Sequence, residues 1–192
     1  PSVIDNCGDE LLPAGPVVEG DPTCEGTKTY TWTYTDCGGN TDTYVFTYTL
    51  DLPTFPVPAP TTATVNCYDD IILPAPPTVT DACDNVLPPA GPFEGIVPDC
   101  EGTVTYFWTY TDCAGNTQDY VHTVTIDIPA FADPLDGGET IACADQATAP
   151  TLPTVTDACG TPLTPSLLSV TPAPDCEGMI VYTYEYRDCA GN

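Results

Sequence analysis

Thr103-Val104-Thr105-Tyr106-Phe107-Trp108-Thr109-Tyr110-Thr111 is the stretch that decides the fold. Threonine or Phe107 holds one set of alternate positions, and Val104, Tyr106, Trp108 and Tyr110 hold the other. Period-two alternation of β-branched and aromatic residues marks a half-buried strand. One face has to be buried, and threonine is the better one to leave wet. The aromatic row is therefore expected in a core rather than as a sugar-stacking platform. Residues 119–128 alternate in the same way, with Tyr120, His122, Val124 and Ile126 against Val121, Thr123 and Thr125. Asp112-Cys113-Ala114-Gly115-Asn116 joins the two, and Gly-Asn supplies the positive φ that a hairpin turn wants.

Outward from this hairpin the chain copies itself every 76 residues. Tyr30, Trp32 and Tyr34 stand one period earlier, and Tyr182, Tyr184 and Tyr186 one period later. Asp-Cys-Gly/Ala-Gly-Asn recurs at 36–40, 112–116 and 188–192, and Cys-Glu-Gly at 24–26, 100–102 and 176–178. A fixed period means an array of one unit. The chain opens inside one unit and stops inside another, so it reads as a window on a longer array. The repeats are expected at 1–53, 54–129 and 130–192, with the first and last truncated. Residues 62–67 and 78–82 are further candidate strands, while Pro74, Pro76 and Pro77 mark corners and edges. No helical period is present. Short strands, frequent turn residues and 76 residues per repeat argue for an all-β protein of tandem immunoglobulin-like β-sandwiches.

The cysteine count follows from the period. A full repeat carries four, as in Cys67, Cys83, Cys100 and Cys113, or Cys143, Cys159, Cys176 and Cys189. The first repeat shows Cys7, Cys24 and Cys37, which makes the total of eleven odd. No zinc-type Cys-x-x-Cys step occurs, so disulfides and an oxidising, extracellular location are expected, with two bridges per repeat. In a sandwich, the strands ending near Cys83 and Cys113 run the same way on facing sheets. Cys83 and Cys113 then share one pole, and Cys67 and Cys100 the other. If the sandwich holds, the expected pairs are Cys67–Cys100, Cys83–Cys113, Cys143–Cys176, Cys159–Cys189 and Cys7–Cys37.

Lys28 and Arg187 are the only cations against 28 carboxylates, a formal net charge of −26. Nucleic acid is excluded as a partner, because its recognition needs a basic surface. No apolar run is long enough to insert in a bilayer. The abundant patterned aromatics set the chain apart from disordered acidic segments. Two readings of the acidity remain: solubility with self-repulsion, and binding of divalent cations.

Val79-Thr80-Asp81-Ala82-Cys83-Asp84-Asn85, followed by Tyr106-Phe107-Trp108-Thr109-Tyr110-Thr111-Asp112-Cys113-Ala114-Gly115-Asn116, resembles the HYR-like (hyalin-repeat-like) four-cysteine domain. The third copy drifts, with Tyr184 in place of Trp and Leu167-Leu168 in place of Gly-Pro. The resemblance implies an immunoglobulin-like sandwich, tandem arrays in giant secreted surface proteins of Bacteroidota such as gliding-motility adhesins, export by a type 9 system, and a cell-surface or filament role.

The acidic residues suggest one ligand set. Asp99, Glu101 and Asp127 of one repeat could approach Asp157 and Asp188 of the next, with Asp133 and Asp136 between. Hard oxygen ligands from several loops suit Ca²⁺. The competing reading is that such aspartates cap turns through side-chain to backbone bonds. No other cofactor is expected. Catalysis is not expected either: His122 is the sole histidine, its counterpart is Phe46, and no hydrolase motif occurs. The proline-rich junctions 52–60 and 128–131 read as semi-rigid spacers.

The expected function is that of a structural repeat segment of a very large secreted cell-surface adhesin or extracellular filament. It would give reach, stiffness and multivalent contact with surface polysaccharide or another cell. Its partners would be further copies of the repeat, with lateral self-assembly. A glycan- or protein-binding module and a calcium-rigidified stalk are the alternatives.

Overall fold

The computed structural model describes residues 1–192. The protein is all-β. Its strands are β1 (Val3–Ile4), β2 (Glu10–Leu11), β3 (Ala14–Glu19), β4 (Gly26–Thr35), β5 (Thr41–Leu50), β6 (Thr61–Val65), β7 (Val79–Thr80), β8 (Val86–Leu87), β9 (Ala90–Glu94), β10 (Gly102–Thr111), β11 (Thr117–Ile126), β12 (Ser166–Val170) and β13 (Tyr182–Glu185). Two single-turn 3₁₀ helices, Tyr68–Asp70 and Ala144–Gln146, follow Cys67 and Cys143. No helix is long and apolar enough to cross a membrane. The deciding stretch lies within β10, and residues 119–126 of its alternating partner lie within β11, as the alternation predicts.

The chain forms two compact units that do not follow the sequence repeats. The first takes residues 1–58, 76–90 and 109–119; the second takes 59–75, 91–108 and 120–192. Each therefore draws on consecutive repeats.

In the first unit, β3, β4 and β5 form an antiparallel sheet in that order, with β5 at its edge. β1 pairs with β2, and β7 with β8. Tyr34, Leu52, Phe55, Val79, Leu87 and Tyr110 are buried there. Gly15 in β3 has φ +112, and a Cβ on it would lie 2.9 Å from the Thr31 carbonyl oxygen, so the close approach to β4 requires glycine.

The second unit is built on the sheet β6-β11-β10-β9, whose hairpin tip, 109–119, counts with the first unit. β6 joins β11 in parallel, with Val65 opposite Ile126. Burial alternates along both long strands. Val104, Tyr106, Trp108 and Tyr110 of β10 and Tyr120, His122, Val124 and Ile126 of β11 are buried. Thr61 Oγ1 lies 2.8 Å from both Tyr120 Oη and His122 Nδ1, which ties β6 to β11. His122 is thus a packing residue, as its Phe46 counterpart suggests. The aromatic row is core in this repeat.

One tyrosine contact repeats with the period. Tyr34, Tyr110 and Tyr186 donate their hydroxyls to the carbonyls of Pro1, Pro77 and Pro153, at 2.8, 2.6 and 2.9 Å. Each bond ties a tyrosine at or just past the end of a strand to a residue 33 positions earlier in the same unit. Tyr34 and Tyr110 are buried, and a buried phenol needs such an acceptor.

Candidate functional site at the repeat-to-repeat disulfides

Six aspartates build the same turn. Asp5, Asp36, Asp81, Asp112, Asp157 and Asp188 each exchange backbone bonds with the residue four positions on. In every case the Asp N–H donates to that residue's carbonyl, and that residue's N–H donates to the Asp Oδ1. The residue between them, three on from the aspartate, is at positive φ: Gly8, Gly39, Asp84, Gly115, Gly160 and Gly191. Glycine accepts that region freely and Asp tolerates it, which explains the residue choice. Asp81, Asp112, Asp157 and Asp188 are buried, so their carboxylates have to be bonded. Asn40, Asn85, Asn116 and Asn192 add a second clamp, each side-chain amide donating to its aspartate's Oδ2. That amide is the first cause holding Asp36, Asp81 and Asp188 below the ordinary carboxyl value of 3.8.

These turns carry cysteines, and the cysteines bond across repeats. Cys24 pairs with Cys113, Cys67 with Cys159, and Cys100 with Cys189, at Cα–Cα distances of 5.8, 5.6 and 5.8 Å. This corrects the five pairings within repeats, Cys67–Cys100, Cys83–Cys113, Cys143–Cys176, Cys159–Cys189 and Cys7–Cys37, and with them the expectation of two bridges inside each repeat. Each observed bond instead joins one of the Cys67/Cys100 kind to one of the Cys83/Cys113 kind, one repeat further on. Cys7, Cys37, Cys83, Cys143 and Cys176 are exposed thiols.

The physical reason lies in the segment leaving each hairpin. Leu52 follows β5 and is bonded on both sides. Its N–H donates to Glu25 Oε1 at 3.3 Å, beside Cys24, and its carbonyl accepts from Asn116 Nδ2 at 3.3 Å, beside Cys113. One repeat on, the Ile128 N–H donates to Glu101 Oε1 at 2.9 Å and its carbonyl accepts from Asn192 Nδ2 at 3.3 Å. Both Leu52 and Ile128 are buried. The exit segment thus sets the Cys-Glu-Gly box of one repeat against the Asp-Cys-Ala-Gly-Asn box of the next. All partners of a junction lie in one compact unit.

The seven carboxylates expected to bind calcium do not converge. Asp99, Asp127, Asp133 and Asp136 are exposed. Glu101 is engaged with the Ile128 N–H, Asp157 with the N–H groups of Cys159 and Thr161, and Asp188 with Asn192. No group of three or more His, Cys, Asp or Glu side chains stands close enough to hold a metal ion. The turn-capping reading describes Asp81, Asp112, Asp157 and Asp188.

A cluster of one carboxylate and two tyrosines was not legible in the sequence. Glu94 Oε1 accepts from both Tyr106 and Tyr68 hydroxyls at 2.6 Å. Tyr106, then Tyr68, lower the Glu94 carboxyl, while burial and then the Glu94 bond raise the Tyr106 phenol. The two tyrosines and the glutamate come from separate segments with no common motif. No sequence spacing signals their meeting.

Strands, clamped turns and bonds between consecutive repeats define a disulfide-joined tandem β-repeat protein. The family model for HYR-like domains with four cysteines matches residues 1–50, 55–126 and 131–192, and the chain belongs to that family. No curated protein matches the chain. Disulfides persist in oxidising compartments, which places this repeat segment outside the cell or at its surface.

Proposed function

We propose that the chain is a structural, non-enzymatic segment of a very large secreted cell-surface adhesin or extracellular filament. It transmits reach and tension, and its copies multiply weak contacts with surface polysaccharide or other cells. A gliding-motility adhesin exported by a type 9 system is the setting that the repeat resembles, and lateral assembly of copies fits the same role. The observation carrying this reading is that each disulfide joins one repeat to the next, so a pull passes through sulfur as well as backbone. In force-extension measurements, oxidised chain held by its ends has a shortest covalent path through 1–24, 113–100 and 189–192. That path stretches to about 140 Å, against roughly 650 Å after reduction, at ~3.4 Å per residue. Equal extension in both states would remove the load-bearing role. Bead adhesion that failed to rise with copy number would remove the adhesive half.

A glycan- or protein-binding module is the second reading. Phe93, outside the aromatic rows, is exposed and packs its ring 5.3 Å from Phe107. Glycan-array binding by the chain that Phe93→Ala abolishes would favour it.

A further inference from the structure

We propose that the β5 edge and the Cys83 thiol together form a docking site for a strand ending in cysteine, supplied by a further HYR-like repeat. The internal copy of this arrangement is complete. β6 lies on β11, Cys67 follows β6, and Cys67 bonds to Cys159. One period earlier the same positions are β5 and Cys83. There the recipient half is present: β5 is exposed along its whole length and Cys83 is an exposed thiol.

Three independent features point to the same occupant. The apolar residues of β5 that match the buried row of β11 are uncovered, Phe46 at 42% and Leu50 at 40% exposure against 5% for His122 and 3% for Ile126. A hollow beside them is lined by Pro1, Pro13, Trp32, Tyr34, Tyr44 and Phe46. Cys83 sits in the Asp81 turn, and the equivalent Asp157 turn presents Cys159 to Cys67. The sequence that fits such a site is the one on β11, Thr61-Thr62-Ala63-Thr64-Val65-Asn66-Cys67. Its backbone adds to an open edge, and its cysteine locks it.

The chemistry balances by exchange. A peptide of residues 59–69 is made as its mixed disulfide with glutathione. The Cys83 thiolate attacks the peptide sulfur, the new S–S bond forms, and glutathione leaves as the thiol, taking the proton. Peptide mapping is expected to find the peptide on Cys83 at least tenfold over Cys7, Cys37, Cys143 and Cys176. Amide exchange is expected to slow along β5 and stay unchanged along β11. A peptide with Ala63→Asp and Val65→Asp keeps its sulfur, and is expected to lose the preference. Equal loading on all five thiols, or loading on Cys83 without protection of β5, would overturn the proposal. In glutathione buffer without peptide, chains that stay monomeric support a strand from a further repeat. Dimers joined through Cys83 and Cys143 would overturn that assignment in favour of a second copy.

Discussion

Strands β5 and β11 hold the same place in consecutive repeats and meet opposite surroundings. Tyr44, Phe46, Tyr48 and Leu50 of β5 are exposed, whereas Tyr120, His122, Val124 and Ile126 of β11 are buried. Their sequences alternate alike. The difference is the neighbour: β6 lies along β11, and β5 stands at the edge of its sheet. Alternation therefore identifies a strand and its apolar face, while the covering is supplied by another segment of chain.

The largest expected effect comes from cutting the staple behind β6. Replacing both Cys67→Ser and Cys159→Ser opens a loop with a sequence separation of 92, worth about 4–5 kcal/mol in the chain-entropy model. Denaturant titration measures the loss. Amide exchange along β11 is expected to rise toward that of β5; persistent protection would mean that packing alone holds β6. Next is a matched pair of truncations. Ile126→Ala empties a buried site and is expected to cost about 3 kcal/mol, whereas Leu50→Ala at the equivalent exposed position should stay within about 1 kcal/mol. Equal costs would erase the contrast between the two edges.

A smaller contrast separates two asparagines. Asn116→Ala loses the bond to the Leu52 carbonyl that Asn40 lacks, so it should exceed Asn40→Ala by about 1 kcal/mol. The acid response is the finest probe. Asp36, Asp81 and Asp188 are held below 3.8, so their contribution is complete above the unfolded value and is lost as pH falls through the lowered ones. Melting temperature is expected to drop below about pH 4. Replacing Asp81 with Asn should flatten that drop.

Much of the fold was legible. The hairpin β10–β11, the core role of Tyr106, Trp108 and Tyr110, and the equivalence of the cysteines all follow from alternation and period. The connectivity was not. A periodic sequence gives Cys113 and Cys189 the same surroundings, so local pattern does not distinguish a partner in one repeat from its copy in the next. What decides between them is the exit segment, where Leu52 is held between Glu25 and Asn116. That contact spans 64 residues and has no local signature. The acidic clusters misled in the same way: composition shows that carboxylates are present, while Asp157 and Asp188 are spent on the backbone of their own turns.

The bonds between repeats also change what damage means. Cys67–Cys159 and Cys100–Cys189 both span residues 129–140. A protease that severs the backbone in that stretch leaves two sulfur links holding the fragments. Between residues 53 and 60, Cys24–Cys113 does the same with one. Continuity of the strand of repeats thus depends on three covalent paths across one junction, and a single nick is survivable. Complete severing there needs hydrolysis and reduction together.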